Sequence, residues 1–248
     1  MEYLQILTAA EWLLVGVSFF TSFLTAVAGI GGGVMLLAVM VTVFPPLVVI
    51  PVHGVVQAGS NFFRMGLMRH FIDRSIIVPF AVGSLLAALL GTQVVVALEP
   101  FYLQLLLGLF ILYLVWGPKL SKVYMSHKIQ FYLGGFLTTL ASLFVGASGP
   151  LAAAFIGRVG LKKEAQVATH ATAMVVQHGL KTLVFGFVGF AFADYALLMG
   201  LMIATGFAGT YVGKHVLLKL PEKIFRVAYK VVITLLALRL LYMAFLSY

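Results

Sequence analysis

Between Glu11 and Arg64 the chain runs for 52 residues without one Asp, Glu, Lys or Arg. Roughly 20 apolar residues carry a helix across the hydrocarbon core of a bilayer, so this stretch alone holds more than one crossing. With 62% hydrophobic and 9% charged residues and a mean hydropathy of +1.12, the polar surface is too small to coat a water-soluble domain, and the apolar content is far too high for a disordered chain. A membrane barrel needs strands of about 10 residues that alternate in polarity. The apolar runs here are unbroken, which predicts an all-α integral membrane protein with the lipid bilayer as its first partner. The absence of cysteine removes disulfides, thiolate metal sites and thiol catalysis, and no cofactor or metal is expected. The formal charge of +9 does not point to nucleic acid, because the basic residues cluster in short loops between apolar runs and there set orientation.

Leu13 to Leu24 followed by Ala26-Val27-Ala28 resembles a secretory signal with its cleavage site. The residues before it carry Glu2 and Glu11 and no Lys or Arg, the wrong sign for such a signal, so the segment reads as a retained span.

Laid over itself at a shift of 117 residues, the sequence matches, the signature of an internal repeat. Phe19-Phe20-Thr21-Ser22 meets Phe136-Leu137-Thr138-Thr139, and Gly29-Ile30-Gly31-Gly32-Gly33 meets Gly146-Ala147-Ser148-Gly149-Pro150. His53 meets His170, Asn61 meets His178 and Arg64 meets Lys181; beyond these the shift grows to 121 or 122, pairing Asp73 with Asp194 and Gly91 with Gly213. The chain is one membrane domain, 1–248, made of halves at about 12–117 and 129–247.

Basic residues concentrate in short cytoplasmic loops: Arg64 to Arg74, Lys119 to Lys128, Arg158 to Lys163 and Lys214 to Lys223. The N-terminus, the Pro45-Pro46 turn, the Glu99-Pro100 turn and Gly186 to Asp194 carry no basic residue and go outside. Residues 129–157 then begin and end in the cytoplasm, so they enter and return around Gly146 to Pro150; residues 12–44 do the same from outside, around Gly29 to Gly33. Either a re-entrant hairpin or a long and a short span satisfies this parity. Ordinary spans follow at 48–63, 75–97 and 101–117, then at 165–185, 195–213 and 224–247. Three spans after each Gly-broken hairpin give the halves opposite orientation, the inverted repeat of many secondary transporters, with both termini outside.

His53, Gln57, Ser60, Asn61 and Arg64 fall within roughly a 100° arc of one helix, and the same offsets in the second half give His170, Met174, Gln177, His178 and Lys181. A polar stripe facing lipid is costly, so both stripes belong inside the bundle. Ordinary interhelical hydrogen bonding would also explain any one of these residues; two matched stripes, each ending in a cation, favour a ligand pathway. Arg64 also fits a plain positive-inside residue, a reading that does not extend to Lys181. The Gly-rich breaks at Gly31, Gly32, Gly33 and at Ser148, Gly149 present helix N-termini to an anion, against the plainer reading of close packing through small residues. Every acid, from Glu2 and Glu11 through Asp73, Glu99, Glu164 and Asp194 to Glu222, lies at a terminus or loop. A central site of imidazole, amide, cation and backbone N–H favours a small anion. Thus Gly31, Gly32, Gly33, His53, Gln57, Asn61, Arg64, Ser148, Gly149, His170, Gln177, His178 and Lys181 are the candidate substrate-binding residues, with none catalytic. Gly146-Ala147-Ser148-Gly149 also matches the GxSG of rhomboid-type intramembrane serine proteases, an alternative weakened because the repeat partner of Ser148 is Gly31.

These features together, Gly-Ile-Gly-Gly-Gly, its degenerate copy Gly-Ala-Ser-Gly-Pro and two half-repeats over the whole apolar chain, resemble the sulfite exporter TauE/SafE family. Ser148 departs from that family's usual G-x-G-G-P. The resemblance implies a multi-pass transporter of the cell inner membrane, in bacteria or archaea, that moves sulfur-containing anions such as sulfite or organosulfonates, commonly outward. It leaves the anion unspecified and homo-oligomerisation open. Anion exit from a cell negative inside by about 100 mV is favoured by about 2.3 kcal/mol per charge and needs no coupling ion.

Overall fold

The computed structural model describes residues 7–40, 42–94, Phe101, Leu105, Leu109, Leu112, Trp116, 127–146 and 148–246. Most of the expected 101–117 span, the Glu99-Pro100 turn and most of the Lys119 to Lys128 loop lie outside the described residues. Among the described residues the regular elements are helices throughout.

Helix α1 (Ala9–Ala28) begins at a capping box, in which the Thr8 side chain accepts from the Glu11 N–H at 3.3 Å and the Glu11 carboxylate accepts from the Thr8 N–H at 2.8 Å, a reciprocal pairing that satisfies two free helix-end donors. It stops where Gly29 turns left-handed at φ 80°, a conformation that glycine adopts without a Cβ penalty. The chain restarts as the 9-residue α2 (Gly32–Met40). The 20 residues of α1 reach about 30 Å and α2 about 13 Å, so the first hairpin is one long and one short helix. Pro46, at the first turn where its missing N–H costs nothing, opens α3 (Pro46–Leu67). A 3-10 turn at Arg69–Phe71 leads to α4 (Arg74–Val94).

The second half repeats the form. Helix α5 (His127–Val145) breaks at Gly146, again at φ 80°, and resumes as the 9-residue α6 (Gly149–Gly157). Then come α7 (Lys163–Phe187), a 3-10 turn at Phe192–Tyr195, α8 (Ala196–Lys219) and α9 (Glu222–Leu246).

Two expected loops are shorter than the charge pattern suggested. Arg64 lies inside α3 rather than at the start of a loop, and α8 continues past 213 to Lys219 with Lys214 within it. Lys214 reaches back to donate to the Leu67 carbonyl at 3.0 Å, so a cation that marks a loop in sequence is here consumed by a neighbouring helix end.

Leu14 and Val15 of α1, Leu36 and Met40 of α2, Val49 and Val52 of α3 and Leu198 of α8 form one apolar cluster. The first hairpin therefore begins and ends beside the start of α3. Ile76 and Phe80 of α4, Phe131 of α5 and Ile156 of α6 form another, which places both ends of the second hairpin beside the start of α4, beyond the far end of α3. Helix α1 packs along α8, α4 along α5 and α3 along α7. Backbone approaches at these seams are close: a Cβ on Gly135 would lie 2.0 Å from the Phe80 carbonyl oxygen, and one on Gly209 would lie 2.1 Å from that of Phe19. Small residues permit such packing where lipid supplies no hydrophobic drive between helices.

By length and composition, three described segments can cross a membrane: Ala9–Ala28, Arg74–Gly91 and Phe192–Lys219. Helices α3 and α7 are as long, at 22 and 25 residues, but their polar stripes lower the hydropathy. Those stripes are buried, from Gln177 and Lys181 at 0% exposure to Gln57 at 7%, and so face protein rather than lipid.

Candidate binding cavity between the central helices

Asp73, just past α3, donates its N–H to Thr169 Oγ1 near the start of α7 at 3.0 Å, while Gly54 in the first half of α3 abuts Lys181 near the end of α7. The two central helices therefore run antiparallel, and their stripes meet around mid-length. Between them lies a cavity of about 30 Å³, walled by Gly31, Gly33, His53, Gln57 and Asn61 from the first half and by Gly149, His170 and His178 from the second. This volume accommodates one or two waters. Thr25, Ile30, Val34, Pro150 and Met174 complete the wall. Sequence reasoning did not name these as site residues, although Thr25, a polar residue four before the break, and Met174, on the second stripe, were visible signals.

Both breaks are tied to the stripes in the same way. His53 Nε2 donates to the Gly33 carbonyl at 2.8 Å, and His170 Nε2 donates to the Gly149 carbonyl at 3.1 Å. The His53 and His178 rings meet edge to face at 5.7 Å between centroids. Along α3 a relay runs outward from the cavity: Asn61 Nδ2 donates to the Gln57 carbonyl at 2.7 Å, and Arg64 Nη1 donates to Asn61 Oδ1 at 2.8 Å, with a longer contact to Thr210 Oγ1 at 3.4 Å.

The remaining candidates do not touch the cavity. Gly32 sits behind it, with its N–H on Thr25 Oγ1 at 3.0 Å, and a Cβ there would lie 1.7 Å from the Thr21 carbonyl oxygen. Arg64 and Lys181 flank it. Lys181 is fully buried, and its Nζ donates to the Gly146 carbonyl at 3.0 Å. Ser148 Oγ and both amide atoms of Gln177 are buried without a hydrogen bond. The protease alternative needs a serine bonded to a base; Ser148 Oγ makes no such bond, and His170 Nε2 is held by Gly149.

The halves differ in how their small polar side chains are bonded. Thr21, Thr25, Ser22 and Ser60 are all hydrogen-bonded. Their matches at a shift of 117, namely Thr138, Ser142, Thr139 and Gln177, carry side-chain atoms with no partner.

Among the described residues, the buried side chains that carry a formal charge are Arg64 and Lys181, both basic. The described ion pairs, Lys163 with Glu164 and Arg226 with Glu222, lie elsewhere. Buried charge is ordinarily paired, so two enclosed cations without a carboxylate leave a deficit of negative charge around the cavity.

The family model described as Sulfite exporter TauE/SafE matches residues 14–240. No curated protein and no solved structure matches.

Proposed function

The chain belongs to the sulfite exporter TauE/SafE family of membrane transporters, and from that premise we propose that it exports small sulfur-containing anions, sulfite or organosulfonates, by alternating access. The observation that carries the reading is the charge deficit. Arg64 and Lys181 are enclosed beside a cavity with no buried carboxylate among the described residues, which suits an anionic ligand and not a sodium ion or other cation. The N-terminal ends of α2 and α6, beside that cavity, add oriented N–H groups of the right polarity.

Alternating access is proposed to follow from an inverted repeat of halves 12–117 and 129–247. The seams support it, because the repeat shifts exchange them. Ser18 Oγ donates to the Met202 carbonyl at 2.7 Å, and the matching residues, Gly135 and Phe80, also meet backbone to side-chain position. A Cβ on Gly213 would meet Ala26, and one on Gly91 would meet Leu143, the matching pair. In such folds one repeat rocks against the other around a fixed midplane site. The bilayer is taken to be the cell inner membrane, with both termini outside.

The reading is tested by exchange. Purified protein in liposomes preloaded with sulfite is challenged with external sulfite, an organosulfonate, sulfate, chloride or sodium. Accelerated exchange by sulfite or the organosulfonate and by neither chloride nor sodium is the expected result; sodium-driven flux with no anion selectivity would remove the proposal.

A further inference from the structure

We infer that the second half supplies the route into the cavity in this conformation: water and the anion enter along the seam of α5 with α6 and α7, past Thr138, Thr139, Ser142 and Gln177, while the matching seam of the first half stays shut. This deepens the proposed function and rests on it for the identity of the anion.

A cavity of about 30 Å³ holds one or two waters, so an oxyanion reaches it only when a wall parts. In alternating access one repeat moves against the other, and the bonds across each seam decide which wall gives way more readily. The first-half seam is fastened. Ser22 Oγ on α1 and Ser60 Oγ on α3 are hydrogen-bonded at 2.9 Å, and Thr25 Oγ1 on α1 accepts the Gly32 N–H of α2 at 3.0 Å. Thr21 Oγ1 donates within its own helix, to the Val17 carbonyl at 2.9 Å.

The shift of 117 carries these residues onto Thr139 with Gln177, Ser142 with Gly149, and Thr138, and α5 packs against both α6 and α7. None of the bonds is repeated. The hydroxyls of Thr138, Thr139 and Ser142 and both amide atoms of Gln177 are buried without a partner; the three hydroxyls do not even take the carbonyl one turn back, which a helical serine or threonine can reach. Closing the first seam returns bonds for the water it strips away. Closing the second strips water and returns none, and a buried polar group without a partner costs its full desolvation, so hydration of the second seam is favoured where that of the first is opposed. This seam borders the cavity, since α6 gives Gly149 to the wall and α7 gives Met174 and His178, on either side of Gln177 in sequence. It comes from the end of the bundle where α5 begins, because Thr138 and Ser142 precede the break at Gly146. Hydroxyls and a carboxamide donate to an oxyanion without holding it by charge, the weak binding that passage requires.

The chain has no cysteine, so single cysteines report the route against a blank background. Thr138→Cys, Ser142→Cys and the first-half match Thr21→Cys are treated, as purified ligand-free protein, with sulfonatoethyl methanethiosulfonate, an anionic sulfonate, and with its cationic trimethylammonioethyl analogue, and rates are scaled to those of the unfolded chain. In a rigid molecule the cysteine at 21 would react first, because Thr21 is 5% exposed and Thr138 and Ser142 are 0% exposed. The expected order is the reverse, with both second-half cysteines at least roughly tenfold faster, the scale of one hydrogen bond's difference between the seams, and with the sulfonate faster than the cation. Hydroxyl deletion reads the same asymmetry without cysteine: Ser22→Ala should melt roughly 2–4 °C below wild type for its lost bond, whereas Ser142→Ala and Thr139→Val should melt at or above wild type. Thr21→Cys reacting as fast as the second-half cysteines, or Ser142→Ala and Thr139→Val melting as low as Ser22→Ala, would overturn the route and leave anion transport standing. Second-half cysteines that react fast but equally with both reagents would support the route and overturn the anionic reading.

Discussion

Gly32 and Gly149 are matched by the repeat, yet one methyl group should act on them in opposite ways. At Gly32 an added Cβ would lie 1.7 Å from the Thr21 carbonyl oxygen and 2.3 Å from Thr25 Oγ1. The first neighbour is backbone in the middle of α1, so α1 and α2 must separate by more than an ångström. Overpacking of a well-filled site costs about 1–3 kcal/mol and occasionally more; a backbone clash belongs at the upper end. At about 3 kcal/mol, Gly32→Ala should lower the melting temperature by roughly 6–12 °C. At Gly149 the nearest atom to an added Cβ is Met174 Sδ at 3.9 Å, ordinary contact distance, and both residues wall the cavity. Gly149→Ala should therefore melt within about 2 °C of wild type, because the site has room and alanine is the better helix former. In a cavity of about 30 Å³, a methyl group takes the place of a water or ligand atom, and sulfite affinity should fall at least roughly tenfold, the scale of one lost polar contact. The assay is thermal shift and anion binding on both variants in the same detergent. Equal melting temperatures, or a folded Gly149→Ala protein with wild-type affinity, would refute the assignment of packing to the first glycine and of ligand space to the second.

Lys181→Gln removes one of the two cations that flank the cavity and should weaken anion affinity by roughly tenfold, the scale of one unit charge acting across a protein interior without direct contact, in a titration with folding checked by thermal shift. Lys181→Arg should not rescue it, since the Lys181 Cε already lies 2.7 Å from the Cβ position of Gly54 and a guanidinium is bulkier. Ser148→Ala should retain sulfite exchange in liposomes; loss of exchange with intact folding would give that hydroxyl a role in the site. Tags at Met1 and Tyr248 should be reached by an impermeant reagent from outside the cell, and labelling confined to the cytoplasmic side would reverse the topology.

The breaks and the stripes were legible because each obeys a rule visible in one dimension: glycine where a helix must stop, and polar residues at helical spacing on two otherwise apolar segments. The division of labour within them was not. Gly32 and Gly149 look alike in sequence, and only the approach of α1 to α2 makes the first a packing position. Lys214 reads as a loop cation and Arg64 fits both a loop and the buried stripe, because a basic side chain spent on protein is indistinguishable in sequence from one in water. The cavity walls at Ile30, Val34 and Pro150 carry no chemistry a pattern would flag. The second-half hydroxyls Thr138, Thr139 and Ser142 match bonded partners in the first half, yet they lie unbonded; no one-dimensional signal separates the two sets.

The central claim is that a small anion passes between α3 and α7, where the cavity of about 30 Å³ widens as one half moves against the other, and carries its charge across the bilayer. Sulfite flux through purified protein in liposomes, with the potential clamped first one way and then the other, tests this most directly. The account predicts saturable flux well above that of empty liposomes, faster when the compartment of origin is negative, in line with about 2.3 kcal/mol per charge at 100 mV, and strongly reduced in Gly149→Ala. Flux no greater than in empty liposomes, or equal at both potentials and in the variant, would contradict it.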